Sequence, residues 1–130
     1  MITVDTSVWV TFLRGSDPRI VRQLDLLLEH DEALLPVPAR IELLAGSPRR
    51  QEALLADLLS AVKPLSVEAT SWVLIERWAR AAARSGDRFG LGDLMIAATA
   101  AEASAPLWSL DGDFERMARR GWIQLYRPTA

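Results

Sequence analysis

With 130 residues, half of them hydrophobic and a quarter charged, the chain has the balance of an ordinary globular domain, long enough to bury one core and too short for two. It contains no cysteine, which excludes disulfides, zinc–thiolate sites and thiol catalysis. Its formal net charge of −2 is not that of a nucleic-acid binder acting through bulk positive charge.

Taken in order, short apolar runs alternate with helix-length segments, the pattern of an α/β fold with a largely parallel sheet. Ile2-Thr3-Val4 reads as a strand that stops at Asp5. A helix starts at Ser7, with Val8, Trp9, Val10, Phe12 and Leu13 as apolar surface, and breaks at Gly15. Asp17-Pro18 caps a second helix that runs to about His30 and carries Leu24, Leu27 and Leu28 at helical spacing. Ala33-Leu34-Leu35 is the next strand, ended by Pro36 and Pro38. A helix over residues 39–45 stops at Gly46. Ser47-Pro48 then caps another, with Leu54, Leu55, Leu58, Leu59 and Val62 on one face. A brief strand is expected around Pro64-Leu65-Ser66, followed by an amphipathic helix over residues 68–84 containing Trp72, Ile75, Ala79 and Ala82.

Residues 90–92 read as a flexible loop leading into a helix over residues 93–101 that is apolar all round and built of small residues, hence central. Residues 106–110 form a strand stopping at Asp111, residues 114–120 a basic helix, and residues 122–126 a closing strand. No run is long enough to span a bilayer. The N-terminus lacks the basic start and long apolar stretch of a secretion signal, so a cytoplasmic protein is expected.

The candidate chemistry is carboxylate chemistry. Asp5 and Asp111 each end a strand, and in doubly wound sheets ligands bind at the carboxyl ends of strands; either aspartate alone also serves as a turn former or helix cap. Asp93 opens an otherwise apolar helix, where it is an N-cap, a site residue, or both. Glu42, between Ile41 and Leu43, is expected to be partly buried, where a metal or an arginine partner explains its charge better than the helix dipole does. Four carboxylates in one place repel and raise one another's pKa values. A hard divalent cation such as Mg²⁺ or Mn²⁺ removes that conflict and can activate water against a phosphodiester. His30 reads as a solvated helix end. With one histidine and no cysteine, neither a histidine-pair ribonuclease nor a zinc hydrolase is plausible.

Setting the four acids aside leaves the bases in slight excess. Lys63 is the only lysine and every other base is arginine, suited to bidentate phosphate contacts. Arg77, Arg80, Arg84 and Arg88 recur at helical spacing, as do Arg116, Arg119 and Arg120. Each reads first as part of a solvated face with pairs such as Glu76–Arg80 and Glu115–Arg119; together they could rim an acidic centre.

Four segments, in order and across the whole chain, resemble the motifs of PIN-domain ribonucleases, specifically the VapC toxins of prokaryotic toxin–antitoxin pairs. They are Val4-Asp5-Thr6-Ser7-Val8-Trp9, Pro38-Ala39-Arg40-Ile41-Glu42-Leu43-Leu44-Ala45-Gly46, Gly92-Asp93-Leu94-Met95-Ile96-Ala97-Ala98-Thr99-Ala100 and Leu107-Trp108-Ser109-Leu110-Asp111-Gly112-Asp113-Phe114. The resemblance implies a single PIN domain over residues 1–130, a three-layer α/β/α sandwich with a mainly parallel sheet of four or five strands. It implies a Mg²⁺-dependent endoribonuclease, with Mn²⁺ able to substitute, that hydrolyses RNA, is restrained by a cognate VapB-type antitoxin and forms a homodimer.

Asp5 and Asp93 would be the principal metal ligands. Glu42 and Asp111 would complete the pocket, with Asp113 as the other candidate for the fourth acid. Thr6, Ser7 and Ser109 would support the ligands, Ser109 standing where the family commonly has threonine. Trp9, Phe12 and Leu13 are then either core or part of an apolar groove for an antitoxin helix.

A phospho-acceptor receiver domain would need a lysine after a late strand, and Lys63 lies mid-chain. A haloacid-dehalogenase-type phosphatase would need an aspartate where Ser7 stands. The more serious rival is a PIN domain without activity, serving as an interaction module.

Overall fold

A computed structural model describes residues 1–128. Strand β1 (Ile2–Val4) leads into helix α1 (Thr6–Arg14), which Asp5 caps by accepting a hydrogen bond from the Ser7 amide. Gly15 ends α1 at a φ of 65°, with its N–H donating to the Phe12 carbonyl; a side chain is disfavoured in that conformation. Helix α2 (Pro18–Glu29) follows Asp17 as cap with proline in its first turn. The chain continues through β2 (Ala33–Pro36), α3 (Val37–Ala45), a 3₁₀ turn (Arg49–Gln51), α4 (Glu52–Ser60), β3 (Lys63–Leu65), α5 (Ala69–Arg84), α6 (Leu91–Glu102), β4 (Leu107–Trp108) and α7 (Gly112–Arg119).

The four strands form one all-parallel sheet in the order β3-β2-β1-β4, flanked by helices, as expected of the α/β class. The chain builds outward from β1 to β2 and β3, then crosses back to lay β4 on the other side of β1. The carboxyl ends of β1 and β4 therefore flank a topological switch point, where open α/β sheets bind ligands. Val4, Leu35, Leu107, Ile96 and Phe114 are fully enclosed at the centre.

Several boundaries move from their expected places. Helix α3 begins at Val37, because Pro38 in a first turn gives up an N–H that has no helical partner anyway. Helix α6 begins at Leu91 with Gly90 as its cap, so residues 90–92 are not a loop and Asp93 is the third residue of the helix. The Leu94 amide donates to the Gly90 carbonyl at 3.0 Å and closes that first turn; packing overrides the weak helix propensity of glycine.

Strand β4 is two residues long because the amides of Leu110 and Asp111 donate to the hydroxyls of Ser7 and Ser109. The expected closing strand is reduced to a single parallel bridge between Leu125 and Leu107. On α5 the buried face is Ser71, Ile75, Trp78 and Ala82. Trp72 is 48% exposed and Ala79 also faces outward. Trp78 stacks on Trp122 at a centroid distance of 4.9 Å.

Helix α6 is the central element the composition suggests: Ile96, Ala97 and Ala98 are fully buried, and α3 and α5 both pack along it. Small side chains let neighbours approach, and added volume has nowhere to go. Ala98→Leu should lower unfolding free energy by about 1–3 kcal/mol, checked by urea denaturation.

Candidate functional site

Asp5 is 3% exposed, and its Oδ2 accepts three hydrogen bonds: from the Ser7 amide (3.3 Å), the Ser7 hydroxyl (2.7 Å) and the Ser109 hydroxyl (2.7 Å). Its Oδ1 has no donor among the described residues. Both serines do double duty, because each hydroxyl also accepts an amide from the turn after β4, at 2.9 Å in both cases. The ends of β1 and β4 are thereby tied through one carboxylate oxygen, a charge-assisted arrangement stronger than neutral hydrogen bonds. The hydroxyl at position 109 is what matters there, and serine supplies it.

Asp111 caps α7, its Oδ1 accepting from the Asp113 amide at 2.9 Å. Asp5 and Asp111 thus both cap helices, and each keeps its other carboxylate oxygen without a donor among the described residues. Asp93 differs: no side chain caps α6, so the N-cap explanation for this residue fails. Its carboxylate lies in the first turn of α6, where the helix dipole favours an anion. Even so, the Asp93 carboxyl is pushed up to about 6, first by burial and then by Asp5, Asp111, Asp113 and Glu42 in that order. Repulsion and desolvation defeat the dipole.

One ligand oxygen each from Asp93, Asp111 and Asp113 lie within 4.8 Å of one another, a grouping that could hold a metal ion. Asp5 and Glu42 fall outside that tight trio but act on Asp93 electrostatically. Glu42 is exposed, not partly buried, because its side of α3 opens towards the cluster. The Thr6 hydroxyl donates to Glu42 Oε1 at 3.1 Å, and a Cβ built on Gly92 would meet the same oxygen at 3.9 Å. Glu42 thus needs no burial argument; its carboxylate lies against the first turn of α6.

The donor set consists of carboxylate oxygens without nitrogen or sulfur, which suits a hard divalent cation. Arg116, which the sequence pattern assigns to a solvated helix face, is instead bonded to Asp113 at 2.8 Å. Its spacing of three residues from Asp113 was the available signal. Asp87, its other partner, lies 29 residues away and gave none. The expected pairs Glu76–Arg80 and Glu115–Arg119 do not form; Glu115 pairs with Arg127 at 3.7 Å.

The sequence profile of the PIN domain matches residues 2–120. No curated protein sequence matches the chain. Among solved structures, VapBC2 from Rickettsia felis, bound to a promoter DNA fragment, is similar at a TM-score of 0.81 and 21% identity, over 97% of this chain and 98% of that one. VapBC-1 from nontypeable Haemophilus influenzae is similar at a TM-score of 0.77 and 20% identity, over 97% of each chain. VapBC-5 of Mycobacterium tuberculosis, described as a member of a toxin–antitoxin family, is similar at a TM-score of 0.72 and 25% identity, over 98% of each.

Because the folded-state pKa of Asp93 lies above its unfolded value, metal-free protein loses stability as pH rises through that window. Asp93→Asn should therefore raise the unfolding free energy, and with it the thermal midpoint, at pH 8 in the presence of chelator, by roughly 1–2 kcal/mol after allowing for solvent screening of a half-buried group. The gain should shrink as pH falls through about 6 and vanish below the unfolded value of 3.8, at about pH 2–3, where both states are protonated; melting curves at the two ends check this. Ser109→Ala should cost about 1–3 kcal/mol, since it strips a donor from a buried carboxylate, and Ser109→Thr should restore it.

Proposed function

Because this chain belongs to the PIN-domain family, we propose that it is a metal-dependent endoribonuclease acting as the toxin of a type II toxin–antitoxin pair, with Mg²⁺ as its cofactor and Mn²⁺ able to replace it. The observation that carries this reading is the convergence of Asp5, Glu42, Asp111 and Asp113 on Asp93, whose carboxyl is held near 6 by burial and like charge. Such a cluster is unfavourable alone and becomes favourable around a dication. The family supplies nuclease chemistry, and the resemblance of the four motifs to VapC toxins supports RNA as the substrate.

In this reading Asp5 and Asp93 hold the metal, and Glu42 and Asp111 complete the pocket directly or through water. Bound there, a divalent cation would supply Lewis-acid polarisation of the phosphodiester and a more acidic water. Asp5 is kept in place by Ser7 and Ser109. Glu42, steadied by Thr6, orients the attacking water by accepting one of its protons. Hydrolysis then adds the water oxygen to phosphorus as the bridging P–O bond breaks, and the proton given up by the water returns through solvent to the leaving oxygen.

The partner reading rests on a second surface. A groove of about 870 Å³ is lined by Trp9, Phe12, Leu13, Leu55, Leu58 and Val62, among others. Leu58 in its lining and Leu54 beside it, both on α4, are 58% and 65% exposed. Trp9 itself is core, whereas Phe12 and Leu13 face the groove edge. An apolar helix face left open in this way suits an amphipathic partner helix. The three neighbours are all named VapBC, and that of Mycobacterium tuberculosis is described as a member of the VapBC family of toxin–antitoxin systems, which supports a VapB-type antitoxin as that partner. We read residues 1–130 as one domain working in the cytoplasm as a homodimer. Among the described residues no helix is long and apolar enough to cross a membrane.

Purified chain should cleave RNA with Mg²⁺ or Mn²⁺ and stop with chelator; metal-independent cleavage would overturn the mechanism. Asp5→Asn or Asp93→Asn should each reduce cleavage about 10²–10⁴-fold, the equivalent of several kcal/mol of lost electrostatic stabilisation. Leu58→Arg should weaken capture of the co-expressed antitoxin more than tenfold while RNA cleavage by the isolated chain persists, read by pull-down and gel assay.

A further inference from the structure

One guanidinium touches the acidic cluster. Arg116 on α7 donates through Nη2 to Asp113 Oδ1 at 2.8 Å and through Nη1 to Asp87 Oδ1. Among the described residues no other cation forms an ion pair with Asp5, Glu42, Asp93, Asp111 or Asp113. Asp87 lies between α5 and α6 and also takes Arg120 at 3.2 Å. Desolvation pushes the Asp87 carboxyl up, but the Arg88 amide and the two guanidiniums outweigh it and hold the group below its usual range. Phe89 places its ring 4.4 Å from the Arg116 guanidinium carbon, a cation–π distance.

Arg116 is therefore held on three sides by groups from two segments: the one that leads into α6 and Asp93, and α7 with Asp113. A planar fork can bridge two carboxylates while lying over a ring; a lysine ammonium cannot reproduce that arrangement. The consequence falls on Asp113. One of its oxygens is committed to a cation, whereas the bonded oxygen of Asp111 serves only a backbone amide. A carboxylate shared with a guanidinium is a poorer metal donor, since the two cations compete for it and repel each other.

Resting on the metal-site reading above, we propose that Arg116 is a positioning residue that Asp87 and Phe89 hold against Asp113, so that Asp113 is kept out of direct metal ligation and Asp111 serves as the fourth acid. The pairing also gives the cluster a fixed countercharge and couples the approach to α6 mechanically to α7.

The test is Mn²⁺ binding to the full chain without RNA, followed by the EPR signal of the free aqua ion. Arg116→Gln should tighten binding by about tenfold, the order expected when a competing cation leaves and frees a carboxylate for the dication. The tightening should disappear in Arg116→Gln/Asp113→Asn, because the released Asp113 is its source. In the otherwise native chain, Asp111→Asn should weaken binding about tenfold more than Asp113→Asn, the difference between losing a ligand and losing an outer partner. This last comparison stands even if Arg116→Gln does not fold.

Equal or greater weakening by Asp113→Asn overturns the inference. So does an Arg116→Gln variant with a lower thermal midpoint and unchanged affinity, the signature of a merely structural arginine. If wild-type chain binds no Mn²⁺, or binding survives Asp93→Asn, the metal-site reading fails and this inference with it. If Asp93→Asn abolishes binding but Asp111 and Asp113 prove equivalent, only the inference fails.

Discussion

Repulsion among carboxylates at the switch point between β1 and β4 is the constraint around which the rest of the structure is arranged. Among the described residues one arginine pairs with the cluster, and that arginine is already shared with Asp87. A fold that gathers like charges at a half-buried place gives up stability unless the charges are proton-bound, paired or bridged by a cation. Asp93 is where the conflict is sharpest, since it sits in the helix with the least polar surroundings and feels all four of the other acids. Such a local cost in an otherwise consistent fold is characteristic of functional sites.

Holding the cluster in place requires departures from regular secondary structure. Strand β4 gives up its ladder after Trp108 so that the next amides can donate to Ser7 and Ser109, and those hydroxyls in turn donate to Asp5. The first turn of α6 includes a glycine against which Glu42 lies. The same small-residue helix lets α3 and α5 pack against it, so the element that carries the most perturbed acid is also among the least deformable. Rigid support of this kind keeps site geometry within the tolerance that catalysis demands.

Away from the cluster, the surface divides by character. Arg77, Arg80, Arg84 and Arg88 form no ion pairs among the described residues, so their charge is free to act on an approaching polyanion. The α1–α4 side presents exposed leucines beside an apolar groove. A chain of net charge −2 can therefore carry acidic, basic and apolar faces at once, and bulk charge is a poor guide to its partners.

The local features were legible in the residue order. Alternating apolar runs and helical spacing determined the α/β class. Aspartate directly after Ile2-Thr3-Val4 marked the sheet edge, and the small-residue run marked a central helix; Asp111, expected to end its strand, stands three residues beyond β4 as the cap of α7. Each depends on neighbours within a few positions, where backbone sterics and periodicity act.

Tertiary structure decided what depends on distant partners. Trp78, not Trp72, faces the core because Trp122 stacks on it from 44 residues away. Glu42 is exposed because its side of α3 opens onto Asp93 and Gly92. Arg116 leaves its presumed solvated face because Asp87 and Phe89 receive it. Sequence alone determined that acids would stand at strand ends and helix starts. Only the crossing of β4 back beside β1 and the packing of α3 on α6 brought them within reach of one another, because electrostatic coupling follows distance in space and not separation along the chain.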